Sequence, residues 1–281
     1  MRGALTLQLR ERLGRITLRL LRKGMASDLD AHAWRIVRNA APLVLRIADR
    51  TELSDDTFSL TLVPVHFRRS LPEFLPGQHV VLHIPGERGK TTLRAYSLAA
   101  WHRRPGRYEL GIKREAEGIV SRWLHEHARP GLKLPVTAPR GSFHSGAVTA
   151  ASEAVLIAGG IGITPMRAML MAFADMPSPP RVTLHFSART RAQLYYHDEF
   201  LALAGRHPNF RYVPALSHEP EESEWGGFRG FVHDAAKAAF DNDFRGTKAY
   251  LCGPPLMIDA CITTLMQGRL FERDIYTEKF I

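Results

Sequence analysis

Four consecutive residues in the first half of the chain, Arg94-Ala95-Tyr96-Ser97, carry side chains suited to a flat, phosphorylated ligand. If the segment is a strand, alternation places Arg94 and Tyr96 on one face. The planar guanidinium of an arginine can hold a diphosphate, and a tyrosine ring two residues on can lie against a heterocycle. The same four residues also fit an ordinary surface arginine beside a half-buried tyrosine.

A second candidate for phosphate binding is Gly118-Ile119-Val120-Ser121, which leads into a predicted helix from Ser121 to Ala128. The first N–H groups of a helix have no intrahelical partner and lie at the positive end of the helix dipole, an arrangement suited to phosphate. The alternative interpretation is that Ser121 only caps the helix behind a flexible glycine.

A glycine-rich turn with the sequence GGIGITP occupies residues 159–165, between a predicted strand and a predicted helix. Glycines let the backbone approach a pyrophosphate, Thr164 can cap the helix, and Pro165 suits the first helical position. The turn differs from the usual dinucleotide fingerprint, because Thr164 or Pro165 stands where the last glycine would be. A purely structural turn is the alternative.

Two further candidates lie near the end of the chain. Cys252 follows a short predicted strand and precedes a glycine turn, so it is expected at a strand end over a ligand crevice. The alternative is a small buried hydrophobic residue, as free cysteines usually are. Glu278 and Phe280 place a carboxylate and an aromatic ring near the terminus, where a last edge strand is the other interpretation.

Short alternating runs between turn-rich stretches predict that these first groups are positioned by an antiparallel β-barrel. The predicted strands are Leu43–Ala48, Thr57–Val63, His79–Ile84, Leu93–Leu98 and Tyr108–Lys113. Beyond Ser145, apolar runs alternate with helical patterns, which predicts a parallel sheet whose ligand lies at the carboxyl ends of the strands. The runs are Ala154–Ala158, Val182–Ser187, Phe210–Leu216 and Ala249–Cys252. We therefore divide the chain into residues 1–40, 41–146 and 147–281.

Composition limits the chemistry that the chain can carry by itself. The 281 residues include only two cysteines, so a four-thiolate iron–sulfur or zinc site would have to lie on a partner. The thirteen histidines are scattered, and we predict no metal site. There is no uncharged apolar run of the length that a membrane span needs, and we expect a cytoplasmic protein.

The net charge of +10 is unevenly distributed along the chain. Residues 1–24 contain seven basic residues and one acidic residue, which gives 7 − 1 = +6, and their leucines recur at helical spacing. This basic amphipathic helix can pack on the protein body, contact an anionic membrane or a partner, or serve as a removable targeting segment.

In this order, the segments resemble the ferredoxin–NADP reductase superfamily, particularly its oxygenase-reductase and flavohaemoglobin-reductase branch. The resemblance covers about residues 43–281 and rests on five elements: Arg94-x-Tyr96-Ser97, Gly118-x-x-Ser121, the turn ending in Thr164-Pro165, Cys252-Gly253-Pro254-Pro255, and Glu278-x-Phe280. It implies an antiparallel β-barrel that binds FAD, followed by a Rossmann-like α/β domain with a parallel sheet that binds NAD(P), without an iron–sulfur domain.

For the flavin, the resemblance implies that Arg94 binds the FAD phosphates, Tyr96 stacks on the isoalloxazine ring and Ser97 lies near flavin N5. It assigns the FAD pyrophosphate to four residues: Gly118, Ile119, Val120 and Ser121. Phe280 resembles the aromatic residue that covers the flavin until nicotinamide displaces it.

For the nucleotide, the resemblance implies that Cys252 and Glu278 flank the nicotinamide and the flavin. The residues expected to receive the rest of the nucleotide are Gly160, Gly162, Thr164, Pro165, Gly253 and Pro254. Arg189 and Ser217 fall where the family contacts the adenosine ribose. Arg189 or Arg229 can meet a 2′-phosphate, but three nearby glutamates would repel one, so NADH and NADPH both remain open.

The implied activity is transfer of a hydride from NAD(P)H to FAD and of single electrons from FAD to a ferredoxin, a flavodoxin or an oxygenase component. No nucleic acid is expected as a partner. Two other functions are considered: reduction of free flavin as a substrate, and a non-catalytic nucleotide-sensing or electron-transfer subunit.

Overall fold

The computed structural model describes residues 42–65, 70–86 and 91–280. The segment predicted as a basic amphipathic helix, residues 1–24, lies outside the described residues. Among the described residues, no helix is both long enough and apolar enough to cross a lipid bilayer.

The first sheet is a six-stranded antiparallel barrel. Its strands are β1 (Leu43–Ser54), β2 (Thr57–Pro64), β3 (His79–Pro85), β4 (Thr91–Ser97), β5 (Tyr108–Lys113) and β6 (Lys133–Val136). They pair in the order β4-β3-β6-β1-β2-β5. A bridge between Leu98, directly after β4, and Leu110 in β5 joins the two outer strands, so the sheet closes on itself.

Alternation of side chains fills this barrel. In β2, Phe58, Leu60 and Leu62 are fully buried, while Ser59 and Thr61 between them are only partly buried. A period of two therefore points the apolar residues inward, as the sequence predicted.

The helix of the barrel domain is α1 (Ile119–His127), and it packs Val120 and Leu124 against the barrel core. It begins two residues earlier than predicted, with Gly118 as its N-cap. Ser121 lies inside the first turn, so the interpretation of Ser121 as the N-cap is wrong. The chain turns before Gly118, whose N–H donates to the Glu115 carbonyl at 3.0 Å, so the helix starts at once after the glycine.

The second sheet is parallel and carries helices on both faces. Its strands are β7 (Glu153–Gly159), β8 (Arg181–Ala188), β9 (Phe210–Leu216), β10 (Phe228–Arg229), β11 (Thr247–Gly253) and β12 (Ile275–Lys279). The helices are α2 (Ile163–Ala174), α3 (His197–Arg206), α4 (Val232–Ala239) and α5 (Pro255–Gln267). The two sheets confirm the predicted fold class.

Strand β7 explains why this half reads as continuous apolar runs. Its residues Ala154, Leu156 and Ala158 belong to one buried cluster, and Val155 and Ile157 belong to the cluster on the other face. A strand covered on both faces has no polar face to reveal its period.

The strand order β10-β9-β8-β7-β11-β12 reverses direction between β7 and β11. A crevice for a ligand forms where the order of a parallel sheet reverses, outside the carboxyl ends of the strands. Here those ends are Gly159 of β7 and Gly253 of β11.

Candidate functional site

The two domains meet where three strands end and a fourth begins. In the barrel, Ser97 of β4 pairs with His79 of β3, and in the α/β domain Cys252 of β11 pairs with Glu278 of β12. The Ser97 hydroxyl donates to Glu278 Oε2 at 3.2 Å across the domain boundary. His79 Nδ1 lies 3.7 Å from Glu278 Oε1. The structure thus brings together Ser97, Cys252 and Glu278, which the sequence assigned to one site.

His79 belongs to this group, although sequence reasoning did not select it. It follows the turn at Gly77 and Gln78, and only the register of β3 against β4 places it opposite Ser97. Spacing along the chain carries no information on that register, which the pairing of the strands sets.

Cys252 is fully buried at the end of β11. Burial raises the pKa of its thiol well above the ordinary value, and the negative charge of Glu278 raises it further. The side chain is therefore a neutral thiol at physiological pH. It suits a role in packing against a ligand and does not suit a role as a thiolate nucleophile.

The glycine turn after β7 packs directly on this strand end. A Cβ at Gly162 would collide with the backbone carbonyl oxygen of Cys252, so a glycine is needed there. Gly253 adopts a φ of +149°, and its own Cβ would lie 3.0 Å from Gly159 N. A Cβ at Gly160, where φ is +53°, would have no atom within 4 Å from any described residue other than its neighbours in the chain. The backbone of the turn is therefore open at Gly160, as close approach of a ligand requires.

The start of α2 differs from the prediction for Thr164 and Pro165. The helix begins at Ile163 with Gly162 as its N-cap, and Thr164 Oγ1 donates to the Ile161 carbonyl at 3.0 Å. A 3-10 turn over Gly160–Gly162 runs straight into the helix. Thr164 is therefore not the cap, and Pro165 is the third helical residue. Both residues still lie in the first turn, at the positive end of the helix.

In the barrel, Tyr96 is half-buried against the core, and Arg94 on the same strand is exposed. Burial raises the pKa of the Tyr96 hydroxyl, and the charge of Arg94 acts on it in the opposite direction. Leu93, Arg94 and Ala95 are all exposed although β4 is paired with β3 along its length. This strand thus offers an open surface for a bound molecule, with an arginine and a tyrosine on it.

Helix α1, which this segment begins, contacts strand β4. Ser121 Oγ accepts a hydrogen bond from Glu115 N at 3.2 Å and donates to the Gly118 carbonyl at 3.2 Å. Ile119 is exposed, and Val120 is buried. The serine therefore fixes the turn that presents the first N–H groups of the helix. Arg94 and these N–H groups are of the kind that binds phosphate.

At the far end of the crevice, Ser217 and Arg189 follow β9 and β8, as the sequence predicted. Ser217 N donates to the Ala188 carbonyl at 3.1 Å, and its hydroxyl lies 2.8 Å from His218 Nδ1. Arg229 is engaged elsewhere, because its guanidinium donates to carbonyl oxygens of the loop over residues 219–225. Arg229 thus links several backbone positions of that loop.

Phe280 and Pro254 lie at the same strand ends as Cys252. Phe280 N donates to the Gly253 carbonyl at 3.0 Å, and its side chain packs against the buried cluster that contains Cys252. Pro254 is the N-cap of α5. The strand β12, which ends at Lys279, confirms that the terminal segment is also an edge strand.

Two family models match the chain in the same two halves. The model described as "Oxidoreductase FAD-binding domain" matches residues 44–145, and the one described as "Oxidoreductase NAD-binding domain" matches residues 156–262. The matches assign FAD to the barrel and NAD to the α/β domain.

Relatives with known names agree with these matches. The reductase component DmpP of phenol 2-monooxygenase from Pseudomonas sp. (strain CF600) is 45% identical over 79% of this chain and 62% of that protein. The reductase subunit of an aromatic O-demethylase from Amycolatopsis sp. (strain ATCC 39116 / 75iv2) is 32% identical over 89% of this chain and 72% of that protein. The chain spans about three fifths of the length of DmpP and of two other curated relatives.

A solved structure of the Amycolatopsis cytochrome P450 reductase GcoB shares the fold, with a TM-score of 0.75 and 32% identity over 85% of this chain and 69% of that one. Both domain matches, the shared fold and the identity to the Amycolatopsis reductase subunit show that the chain belongs to the ferredoxin reductase-like family of FAD- and NAD-binding oxidoreductases.

Proposed function

We propose that this protein accepts a hydride from NAD(P)H on bound FAD and passes single electrons to a separate protein. The acceptor is a ferredoxin, a flavodoxin or the oxygenase component of a monooxygenase system. The proposal rests on one observation: Ser97 Oγ lies 3.2 Å from Glu278 Oε2, so the strand proposed to hold the flavin meets the strands that carry Cys252 and Glu278 near their ends.

FAD supplies the chemistry that protein side chains lack, because it accepts a hydride and can release electrons one at a time. The protein binds and orients the two reactants. Arg94 and the first turn of α1 hold the FAD phosphates, and Tyr96 lies against the flavin ring. The glycine turn, with Gly160, Gly162 and the first turn of α2, receives the pyrophosphate of the nucleotide.

The chain's own groups at the reacting centre are a hydroxyl, a thiol and a carboxylate. The Ser97 hydroxyl donates a hydrogen bond to the Glu278 carboxylate, and the thiol of Cys252 stays protonated beside that carboxylate. We propose that Ser97 faces flavin N5, that Cys252 borders the nicotinamide, and that Phe280 covers the flavin when no nucleotide is bound. Exclusion of water from the crevice favours hydride transfer over side reactions.

At the adenosine end we propose contacts from Ser217 and Arg189. Arg229, which the sequence offered as a second partner for a 2′-phosphate, is bound to the carbonyl oxygens of its own loop. A preference for NADPH would then depend on Arg189. If Arg189 meets the 2′-phosphate, Arg189→Ala should weaken NADPH binding more than NADH binding.

The names of the relatives support the choice of acceptor. DmpP is a reductase component of a monooxygenase, and the Amycolatopsis protein is a reductase subunit of a demethylase. The chain carries a formal net charge of +10, so an acidic carrier would be attracted over a distance. Electron transfer to such a carrier should slow as salt is raised.

Anaerobic stopped-flow reduction tests the proposal. Purified protein should show the visible absorption of bound flavin, which NADH or NADPH bleaches. Addition of a ferredoxin, a flavodoxin or a purified oxygenase component should then restore the absorption. Protein that binds flavin but is not bleached by either nucleotide would contradict the proposal. A colourless protein that reduces added flavin would assign it to the flavin reductases instead.

A further inference from the structure

Arg167 of α2 lies in the boundary between the two domains, two residues beyond Pro165. Its side chain is only 13% exposed. Its Nε donates to both carboxylate oxygens of Glu199 in α3 at 2.9 Å. Its Nη1 crosses to the barrel, where it donates to the Ala99 carbonyl at 3.0 Å and to Glu109 Oε2 at 3.1 Å. A single guanidinium therefore joins two helices of the α/β domain to the barrel.

The two barrel partners of Arg167 lie in the seam where the barrel closes. Ala99 N donates to the backbone oxygen of Glu109 at 2.7 Å, next to the bridge that joins the segment after β4 to β5. Ala99 is also two residues beyond Ser97 on the same segment. On its other side, Arg167 is three residues beyond Thr164, in the helix that follows the glycine turn. The contact thus connects the two chain segments that carry the halves of the site.

A strained backbone position supports this arrangement. Tyr196, the N-cap of α3, has a φ of +60° and a ψ of +21°, a conformation that a bulky residue adopts only when its surroundings enforce it. The conformation lays its ring under the Arg167 guanidinium, 4.6 Å from the ring centroid. The ring covers the ion pairs from one side, and the arginine is held by a cation–π contact as well as by its hydrogen bonds.

The charge of Arg167 is stable in this position. Burial acts to lower the pKa of Arg167, but the carboxylate of Glu199 and its other partners raise it by more, so the guanidinium stays protonated. In a partly buried boundary, charged hydrogen bonds with fixed directions are stronger than the same bonds in water. Lysine has a single charged nitrogen and lacks the planar fork, so it cannot reproduce the four bonds.

We propose that Arg167 is a positioning residue, which fixes the separation of the flavin-bearing strand and the nucleotide-bearing turn and thereby sets the rate of hydride transfer. The inference concerning hydride transfer rests on the proposed function. The inference concerning domain separation rests on the hydrogen bonds alone. Misplacement of reacting atoms by about 1 Å can slow a reaction by about 100-fold.

A second ion pair across the same boundary provides a matched control. Arg103 of the barrel binds Asp175, at the end of α2, at 2.9 Å, but their side chains are 73% and 52% exposed. Exposed pairs of this kind contribute little. Arg103→Met removes the same functional group from the same boundary without touching a buried contact.

The first test measures the domain separation directly, in the protein as purified and without nucleotide. Spin labels are placed at the exposed positions Arg129 and Lys237, one in each domain, after substitution by cysteine. Both native cysteines are fully buried and should not react. We expect a broader distance distribution in Arg167→Met and an intermediate one in Arg167→Lys. Arg103→Met should match the parent protein. An unchanged distribution in Arg167→Met would overturn the proposal.

Glu109→Gln is a gentler variant, to be used if Arg167→Met does not fold. It removes one charge from the barrel side and leaves the bonds of Arg167 to Ala99 and Glu199. We expect a smaller broadening in the same direction, and a distribution identical to that of the parent protein would count against the inference.

The second test follows anaerobic flavin reduction in the same variants. Arg167→Met should lower the limiting rate of reduction by roughly 10- to 100-fold, with little change in the dissociation constant of the nucleotide or in the flavin content. Arg167→Lys should recover part of the rate, and Arg103→Met should keep all of it. An unaltered limiting rate in Arg167→Met would refute the link to hydride transfer. A parent protein that neither nucleotide reduces would refute the proposed function, a failure visible without any variant.

Discussion

The Cys252 thiol is neutral, fully buried and placed between the glycine turn and Glu278. A neutral, buried thiol does not act through charge or as a nucleophile, so it can affect the reaction only through the volume that it fills. Its side chain belongs to a buried cluster against which Phe280 also packs, and the neighbours of a core residue relax only partly when that residue is made smaller. Loss of the sulfur atom should therefore leave space where we expect the nicotinamide.

We predict that Cys252→Ala keeps FAD and slows hydride transfer by about 10-fold, because the nicotinamide is less firmly placed. Cys261→Ala is the matched control, since Cys261 is equally buried but lies on α5 in the cluster on the other face of the sheet. Stopped-flow reduction measures both. Equal rates for the two variants and the parent protein would leave Cys252 a residue of the core only.

Arg94 is the residue on which flavin retention should depend. We predict that Arg94→Ala loses FAD on purification, because removal of the guanidinium leaves a phosphate charge without its partner. Arg94→Lys should retain only part of the flavin, since lysine lacks the planar fork. The ratio of flavin absorption to protein absorption measures the content. Arg104→Ala, at an exposed arginine of the same domain, should keep full occupancy, and full occupancy in Arg94→Ala would refute the assignment.

Residues that act within one segment could be predicted from the sequence. Arg94 and Tyr96 lie two residues apart on one strand, where a period of two predicted them. Ser97 is the last residue of the same strand, and the family resemblance assigned it to the site. His79 and Arg167 could not be found in that way. His79 joins the site through strand register, and Arg167 through contacts with residues 58 and 68 positions before it and 32 after it. The spacing of residues along the chain reveals neither the strand register nor these long-range contacts.

At the scale of elements, the longer strands were predicted and the two shortest ones were missed. Tyr108–Lys113 and Phe210–Leu216 agree with the structure at both ends. Lys133–Val136 and Phe228–Arg229 are too short to show a period, and they are strands because a neighbouring strand pairs with them. The starts of α1 and α2 were placed two residues late, because glycines served as caps where a serine and a threonine were expected.

Strand β8 carries an unusual group, His185, in the middle of the parallel sheet. The side chain is fully buried, and neither ring nitrogen has a hydrogen-bond partner among the described residues. Burial lowers its pKa from 6.5 to about 3, and the charge of Arg211 acts in the same direction. The folded protein therefore holds a neutral imidazole where the unfolded chain would take up a proton.

This difference predicts a loss of stability in acid. Between pH 6.5 and about pH 3 the unfolded chain binds one more proton at this position, so the free energy of unfolding falls as the pH is lowered. The slope is about 1.4 kcal/mol for each pH unit. In urea unfolding, the free energy of unfolding of His185→Leu should lack this dependence on pH. His218→Gln, at an exposed histidine, should keep it. Parallel pH curves for His185→Leu and the parent protein would refute the prediction.

On the scale of the whole molecule, the proposed function requires the two domains to be held at a fixed separation. Residues 1–24 contribute +6 of the net charge of +10, so the rest of the chain carries +4. The net charge of these remaining residues therefore does not explain what holds the barrel and the α/β domain together. The boundary is instead held by specific bonds, from Arg167, from Ser97 to Glu278, and from Thr57 to Tyr195.

The bond from Tyr195 is the most buried of these bonds. The Tyr195 hydroxyl lies 2.9 Å from Thr57 Oγ1, and both side chains are buried. Thr57 donates its own proton to Asp56 Oδ1 at 2.7 Å, so the tyrosine is the donor across the boundary. Tyr195→Phe removes this bond and leaves Thr57 bound to Asp56. We expect a loss of about 1 kcal/mol, the usual value for a single buried hydrogen bond.

A bond between domains can be distinguished from a bond within a domain by whether its loss affects the unfolding of the two domains differently. Flavin release reports on the barrel, and far-ultraviolet circular dichroism reports on the whole chain. In Tyr195→Phe the two urea midpoints should separate, because the domains stabilise each other less. Tyr212→Phe is the control, since its hydroxyl bonds His197 Nδ1 at 3.1 Å within the α/β domain. That variant should lower stability without loosening the boundary, so a separation of midpoints in both variants, or in neither, would show that Tyr195 does not couple the domains.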